Sequence, residues 1–354
     1  PAEPVVKRSE TEEEADKWLA DNDSARRTPD LLPRDEVARA INEEVKAGRG
    51  TDHGGVYLDI ASRMPADEIV RRLPSMHHQF KELADVDITA EPMEVGPTCH
   101  YVMGGIEVDP DTAASRVPGL FAAGECSGGM HGSNRLGGNS LSDLLVFGRR
   151  AGLGAASYVE SLDRRPEIAA EDVERAASFA LAPFDPPAQG KPENPYTLHT
   201  ELQQFMNDLV GIIRKEAEVQ EAITDLEEMR NRLGGMQVEG HRQFNPGWHL
   251  AVDMRNMLLV CECVAKAALI RTESRGGHTR DDHPAMDATW RNTLLVCTAD
   301  AGDDSPVPEV TVVREDQIPM RPDLLELFDF SEIEKYYTAD EIAGHPDADG
   351  HGEN

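Results

Sequence analysis

The sequence predicts an α+β protein of several domains, and three observations support this fold class. Short stretches of β-type residues lie between residues 54 and 123, and a dense group of glycines accompanies them. Apolar residues then recur with helical spacing over residues 197–235 and 249–271. Two alternating stretches after residue 290 are typical of antiparallel strands. The 354 residues suffice for two or three packing units with a sizeable core.

The composition is strongly acidic and narrows the range of partners. Asp and Glu outnumber Lys and Arg by 66 to 35, which gives a formal net charge of −31. This charge argues against nucleic acid or anionic lipid as the main partner, because both require a basic surface. No apolar run approaches the roughly 18 residues that a membrane span needs. The five cysteines are sparse and odd in number, which favours a reducing compartment over a disulfide framework.

Residues 1–94 are predicted to form a small α+β unit. The stretch Arg34–Val45 has the apolar spacing of a helix that begins after Pro33. Alternation predicts a strand over Gly54–Ile60, and a second helix, broken near Pro74, is predicted over Pro65–Leu83.

Residues 95–160 are rich in glycine and short β-type runs. Strands are predicted over Thr98–Met103, Ile106–Val108 and Gly119–Ala123, followed by a glycine-rich loop and an apolar helix over Ser142–Tyr158. A strand, a glycine-rich loop and a helix N-terminus in series gather backbone N–H groups and a positive dipole end around an anion.

Residues 161–289 are predicted to form an antiparallel helical bundle, entered through an acidic, Ala- and Pro-rich connection over 160–190. Cys261 and Cys263 lie within an apolar helical run, which favours core thiols over a metal site. Residues 290–354 are predicted to form a small α+β region. Its strands would be the stretches TLLVC and VPEVTVV, and its acidic tail from Asp323 to the final HPDADGHGEN is predicted to be disordered.

Three residues carry the most informative chemistry. His100 is predicted at the start of a strand and is followed by Gly104 and Gly105, while Arg135 lies in the glycine-rich loop. Together they could bind a carboxylate, because the planar guanidinium matches two oxygens. The alternative is a hydrogen-bonded strand-end histidine and a loop ion pair. Arg34 lies in the first turn of its predicted helix.

Several ordered motifs resemble the flavoprotein subunit of succinate dehydrogenase and fumarate reductase. The main ones are PRDEVARAI (33–41), PTCHYVMGGI (97–106), GLFAAGEC (119–126) and HGSNRLGGNSLSDLLVFGR (131–149). The resemblance extends through RTESRGGHTRDDHP (271–284) to the C-terminal region. It identifies residues 1–94 as part of the capping domain, 95–160 as the C-terminal part of an α/β FAD-binding domain, and 161–289 as the helical domain.

The resemblance implies FAD as cofactor and assigns roles to individual residues. His100 and Arg135 would hold one carboxylate of the substrate, and Arg34 would transfer the proton. Glu125 would contact the sugar-phosphate region of the flavin. Ser140 and Leu141 would lie at a helix N-terminus facing the flavin ring, and Ser140 could also serve as a plain N-cap. For the segment 271–284 two interpretations stay open: a brace between the helical domain and the flavin site, or an exposed charged loop.

One departure from the family concerns the nucleotide-binding fingerprint. No GxGxxG follows an early strand, and the nearest string, at Gly152–Ser157, lies in a predicted helix. The family's N-terminal FAD-binding half is therefore expected before Pro1 or in trans. By itself the chain would be inactive, and an inert fragment or docking module is the non-enzymatic alternative.

The activity implied is FAD-dependent succinate oxidation, with electrons passed to an iron–sulfur subunit, then to a quinone-binding membrane anchor. The location implied is the cytoplasmic face of the membrane, through these partner subunits. LGGNSL favours succinate oxidation, whereas GVYLDI at 55–60 is more similar to fumarate reductases. L-Aspartate oxidase is a further alternative, because it shares HGxNR. No metal site is predicted.

Overall fold

The computed structural model describes residues 34–187, 190–300, 308–317, 321–333 and 337. It divides the chain into two compact units, Pro1–Val102 and Met103–Asn354, which are described separately. The finer division into four domains stays a prediction. Within the described residues, every helix is too short or too polar to cross a lipid bilayer.

The first unit combines helices with a two-stranded sheet, of which the sequence predicted the helices and one strand. Its elements are α1 (Arg34–Lys46), β1 (Val56–Leu58), α2 (Ala66–Arg72), α3 (Pro74–Ala84) and β2 (Met93–Val95). β1 and β2 pair antiparallel, with Tyr57 opposite Glu94. Ile69, Ile88 and Met93 form the buried core beneath them.

Proline determines the break between α2 and α3. Pro74 occupies the first turn of α3, where its missing N–H costs no hydrogen bond, and Leu73 before it leaves the helical conformation. The predicted break is therefore confirmed. The strand predicted over Gly54–Ile60 is shorter than expected and reduces to Val56–Leu58.

The chain is irregular from the end of the first unit into the start of the second, and here three strand predictions are wrong. All residues from 98 to 123 are described, and no strand forms over Thr98–Met103, Ile106–Val108 or Gly119–Ala123. Single bridges form instead, joining Ile106 to Ser127, Val108 to Ser115, and Ala114 to Phe121. The chain turns between successive bridges and changes partner each time, so no ladder in this stretch extends beyond one residue pair.

A long helix, α4 (Asn139–Glu160), follows the glycine-rich loop and begins three residues earlier than predicted. Gly138 is its N-cap, with a left-handed φ of 80° that glycine adopts without strain. Ser140 therefore lies inside the first turn, and its interpretation as the N-cap is wrong. The supposed connection over 160–190 contains α5 (Ala170–Leu181), with Glu171 and Asp172 in its first turn.

The largest core lies within a helical bundle. It is formed by α6 (Pro195–Leu209), α7 (Glu216–Arg232) and α8 (Pro246–Ile270). Asn194 and Asn245 cap α6 and α8 by accepting hydrogen bonds from backbone N–H groups of the first turns. The buried side chains at the centre include Leu198, Leu202, Val219, Leu226, Met254 and Leu258. Cys261 packs against this core, as expected of a core thiol.

The C-terminal region contains the predicted antiparallel pair, β3 (Thr293–Asp300) and β4 (Glu309–Asp316). At Val310, two side chains of α8 bond the strand backbone. Lys266 Nζ donates to the Val310 carbonyl at 2.8 Å, and the Val310 N–H donates to Glu262 Oε1 at 3.3 Å. Glu262 is 2% exposed and also pairs with Arg230.

Two short helices end the described region, α9 (Pro322–Leu325) and α10 (Phe330–Ile333). They replace the disorder predicted from Asp323 onward in that part of the tail. The final stretch HPDADGHGEN lies outside the described residues.

Candidate active site

The glycine-rich loop before α4 forms the centre of the candidate site in the second unit. Gly129, Gly132 and Gly138 adopt positive φ values of 95°, 56° and 80°. A Cβ added at any of these three, or at Gly137, would meet nothing within 4 Å. The loop therefore turns sharply and leaves open space beside its backbone just before α4 begins.

Four of the six predicted site residues lie along this loop and its neighbours. Arg135 is partly buried, and its Nη1 donates to the Leu136 carbonyl at 3.1 Å. Ser140 and Leu141 lie in the first turn of α4, Ser140 partly buried and Leu141 exposed. Glu125 is exposed in the 3-10 turn Gly124–Cys126.

The turn that carries Glu125 packs against α4. A Cβ at Gly124 would lie 2.6 Å from Leu144 Cδ2, and the φ of 76° at this position is one that glycine adopts without strain. The second unit thus brings the turn of Glu125, the loop of Arg135 and the first turns of α4 into one neighbourhood.

A buried pair connects the start of the loop to the helix that follows it. His131 Nε2 lies 3.2 Å from Asp143 Oδ2, and the two side chains are 6% and 2% exposed. Asp143 is the buried residue of α4. The sequence interpretation missed this pair, although an acid within the apolar string SLSDLLVFG was a usable signal.

The segment 271–284 is a charged turn built around two fully buried residues, Glu273 and Arg280, so its interpretation as an exposed loop is wrong for these two. Glu273 is fully buried and accepts from Arg271 Nη1 at 2.7 Å and from Arg275 Nε at 2.9 Å. The Asp287 N–H donates to it at 3.0 Å. Burial opposes ionisation, but the hydrogen bonds from Arg275, Asp287 and Arg271 outweigh it and hold the pKa of Glu273 below its usual value.

Arg280 links the same turn to the end of α8. It is fully buried, with Nη1 donating to the carbonyls of Ala268 and Leu269 at 2.9 and 3.0 Å. Its Nε and Nη2 form a two-pronged contact of 2.8 Å with Asp282, which holds the pKa of that carboxyl far below its usual value. The positive charge thus satisfies carbonyls at the C-terminus of the helix.

His278 completes the buried turn as a neutral ring. Arg214 Nη1 lies 2.9 Å from its Nδ1, and its Nε2 lies 3.1 Å from the Arg271 carbonyl. Nε2 therefore carries the proton and Nδ1 accepts. Burial lowers the pKa of His278 to about 4, with the charges of Arg214, Arg271 and Arg280 acting in the same direction.

The charged turn reaches the loop of Arg135 directly. The Gly277 N–H donates to the Ser133 carbonyl at 2.9 Å. Gly276 has a φ of 58°, and a Cβ there would lie 2.4 Å from the Ser133 oxygen. The segment therefore contacts the loop of Arg135, and its interpretation as a brace against the flavin site stays a prediction.

The other two predicted site residues lie in the first unit. Arg34 begins α1, and its side chain lies outside the described part of the chain. His100 is exposed in irregular backbone, so its expected place at the start of a strand is wrong. The convergence of Arg34, His100 and Arg135 on one substrate stays a prediction.

Comparison with known families gives a consistent result. Residues 17–141 match the family described as FAD binding domain, and residues 199–323 match the family described as Fumarate reductase flavoprotein C-term. These matches define a flavoprotein whose cofactor is FAD. The chain belongs to the family of succinate dehydrogenase and fumarate reductase flavoprotein subunits.

Individual relatives agree with this assignment. The matching subunit of fumarate reductase (CoM/CoB) from Methanothermobacter marburgensis is 40% identical over 269 residues, which cover 75% of this chain and 47% of that protein. The succinate dehydrogenase flavoprotein subunit of Coxiella burnetii is 36% identical over 277 residues, 74% of this chain and 46% of that protein.

A solved structure is similar over a larger part of the chain. The structure of Mycobacterium smegmatis Sdh1 in complex with UQ1 is 74% identical, with a TM-score of 0.83 over 91% of this chain and 53% of that one. The chain therefore spans about half the length of the relatives it matches.

Proposed function

We propose that this chain supplies part of the active site of an FAD-dependent enzyme that interconverts succinate and fumarate. One observation carries the proposal: the FAD binding domain match covers residues 17–141 and contains every predicted site residue. Those residues are Arg34, His100, Glu125, Arg135, Ser140 and Leu141.

The glycines of the loop and the helix N-terminus that follows it are suited to binding FAD. Open space around Gly132, Gly137 and Gly138 leaves room beside the backbone, and the N-terminus of α4 offers N–H groups to electron-rich oxygens. Glu125, Ser140 and Leu141 would hold the flavin. When bound, FAD supplies the hydride chemistry of the reaction.

His100 and Arg135 would hold one carboxylate of the substrate. The guanidinium offers paired donors, and the imidazole adds a third hydrogen bond. Fixing one carboxylate orients the two neighbouring methylene carbons, which converts a diffusive encounter into a defined geometry. The bound positive charge also stabilises negative charge that develops beside the carboxylate.

Arg34 would move the proton at the second carbon. In fumarate reduction a protonated arginine is a reasonable donor to a carbanion-like carbon. In succinate oxidation it must act from its neutral form, although the ordinary pKa of arginine lies above about 12. Nearby cations and a dry site would favour that neutral form through repulsion and desolvation.

We infer succinate oxidation as the physiological direction, with fumarate reduction as the second candidate. The 74% identity to Mycobacterium smegmatis Sdh1 favours the first. The name of the Methanothermobacter marburgensis relative favours the second. Electrons would pass to an iron–sulfur subunit, then to a quinone-binding membrane anchor, which would hold the complex at the cytoplasmic face of the membrane.

The test compares two arginines of α1 in the complete, FAD-loaded complex. Arg34→Gln should lower succinate oxidation and fumarate reduction by at least about 10²-fold while FAD content stays constant, because only proton transfer is lost. Arg39→Gln is the matched control, since Arg39 pairs with Asp35 on the same helix. Retained turnover in Arg34→Gln would refute the assignment, and turnover of aspartate instead of succinate would refute the substrate.

We also propose that the 354-residue chain by itself does not turn over, because it spans only about half of its relatives. The purified chain should show no succinate-dependent reduction of an electron-accepting dye. Activity of this chain alone would contradict the proposal.

A further inference from the structure

We propose that His131 and Asp143 are positioning residues that hold the Arg135 loop in its substrate-binding conformation. This inference rests on the proposed function, because it assigns Arg135 to the substrate carboxylate. Neither residue touches the substrate in the roles described above.

The burial of Asp143 is the first argument. A carboxylate that is 2% exposed loses most of its hydration, which is costly unless a partner replaces the water. His131 is one such partner, at 3.2 Å from Oδ2 and itself 6% exposed. A pair this deeply buried has a defined geometry, because neither side chain can move into solvent without breaking the contact.

The freedom of the loop is the second argument. Seven residues, 132–138, separate the histidine from the N-terminal residue of α4, and three of them are glycine. Gly132 and Gly138 already take left-handed conformations. Such a sequence has many accessible backbone states, so a contact that joins its two ends removes far more freedom than the same contact within a helix.

The location of Arg135 is the third argument. On one side of it, the Ser133 carbonyl is held by the Gly277 N–H at 2.9 Å. On the other side, the contact of Asp143 with His131 holds α4 against the start of the loop. The Arg135 side chain bonds the Leu136 carbonyl at 3.1 Å, so its guanidinium follows any displacement of the loop. A clamp for a carboxylate tolerates little displacement, since about 1 Å can cost 10²-fold in rate.

The experiment compares two amide substitutions of the histidine in the complete, FAD-loaded complex. His131→Gln places its amide nitrogen near the position of Nε2 and can still reach Asp143. His131→Asn is shorter and cannot. We expect His131→Asn to raise KM for succinate by about tenfold or more with FAD content unchanged, and His131→Gln to stay within about threefold of the wild type.

Glu160→Gln serves as the control, because it removes the other carboxylate of α4 at an exposed position. It should leave KM unchanged. Unchanged KM in His131→Asn overturns the proposal, as does an equal defect in both histidine variants, which would indicate a requirement for imidazole itself.

A binding measurement separates this inference from the proposed function. Malonate is a dicarboxylate with one methylene fewer than succinate, so it cannot form the alkene, and its binding is followed by the change in flavin absorbance. The Kd for malonate should rise about tenfold in His131→Asn and stay close to the wild-type value in His131→Gln. A wild-type complex that binds malonate without turning over succinate or fumarate would refute the proposed function, while the ratio of Kd values still decides the role of the pair.

Discussion

Gly277 donates its backbone N–H to the carbonyl of Ser133 at 2.9 Å, and this bond joins the buried charged turn to the loop of Arg135. Gly276, one residue earlier, has no room for a side chain beside the same carbonyl. The loop therefore rests on a support that is distant in sequence and is stabilised by the charge network of residues 271–284.

The fit at Gly276 predicts a substitution with a double effect. Gly276→Ala places a methyl 2.4 Å from the Ser133 oxygen at a φ of 58°, so we expect a loss of about 1–3 kcal/mol in the free energy of unfolding. The loop must also shift, so KM for succinate should rise in the complete complex. Gly152→Ala is the control within α4: nothing lies within 4 Å, and alanine should stabilise the helix by about 0.5–1 kcal/mol. Equal urea midpoints for the two variants would contradict the tight contact.

The buried carboxylate of Glu273 predicts a large stability effect. Glu273→Gln leaves the guanidinium groups of Arg271 and Arg275 without their shared negative partner, which should cost about 3–5 kcal/mol in urea unfolding. Glu309→Gln removes a carboxylate that is 82% exposed and should change stability little. Similar midpoints for both variants would show that the network contributes nothing.

The neutral ring of His278 predicts a dependence of stability on pH. Its pKa is about 4 in the folded state and ordinarily about 6.5, so the unfolded chain takes up the proton first as the pH falls. The stability contribution is complete above pH 6.5 and is lost between pH 6.5 and 4, by up to about 3 kcal/mol. His278→Gln should reduce the slope of unfolding free energy against pH in this window. The exposed His241→Gln should not, and an unchanged slope in His278→Gln would contradict the neutral assignment.

The thiol pair of Cys263 and Cys297 predicts selective alkylation. A hydrogen bond from Cys263 lowers the pKa of Cys297 and raises that of Cys263, whereas burial raises the pKa of Cys261 to about 11. Iodoacetamide at neutral pH should therefore label Cys297 well before Cys261, as read by peptide mass spectrometry. Cys263→Ala should slow labelling of Cys297, and faster labelling in that variant would show that the bond does not activate it.

Local sequence patterns predicted the elements that are stabilised mainly by residues close to them in the chain. The break at Pro74, the helices of the bundle and the pairing of β3 with β4 all follow from periodicity and from residues with strong backbone preferences. The glycine-rich loop ahead of a helix was also predictable, because its residue types and order carry the signal. Its helix began earlier than expected because Gly138, rather than a serine, forms the cap.

The wrong and missed predictions have a different cause: the structure of these segments depends on contacts with distant parts of the chain. The β-type runs over 98–123 form no strand, because each single bridge there joins a different pair of segments. The segment 271–284 has the composition of a solvated loop. Its Arg280 is nevertheless buried, because it donates hydrogen bonds to the carbonyls at the end of α8. The His131–Asp143 pair likewise arises only when the loop folds back onto the helix.

The contacts at Val310 have a consequence for how copies of this chain meet one another. A strand at the margin of a sheet offers free N–H and C=O groups to which another polypeptide can add. At this position both groups are already taken by Lys266 and Glu262. An incoming strand would have to displace a desolvated ion pair to bond the backbone at Val310, so the hairpin is protected at this residue against intermolecular pairing.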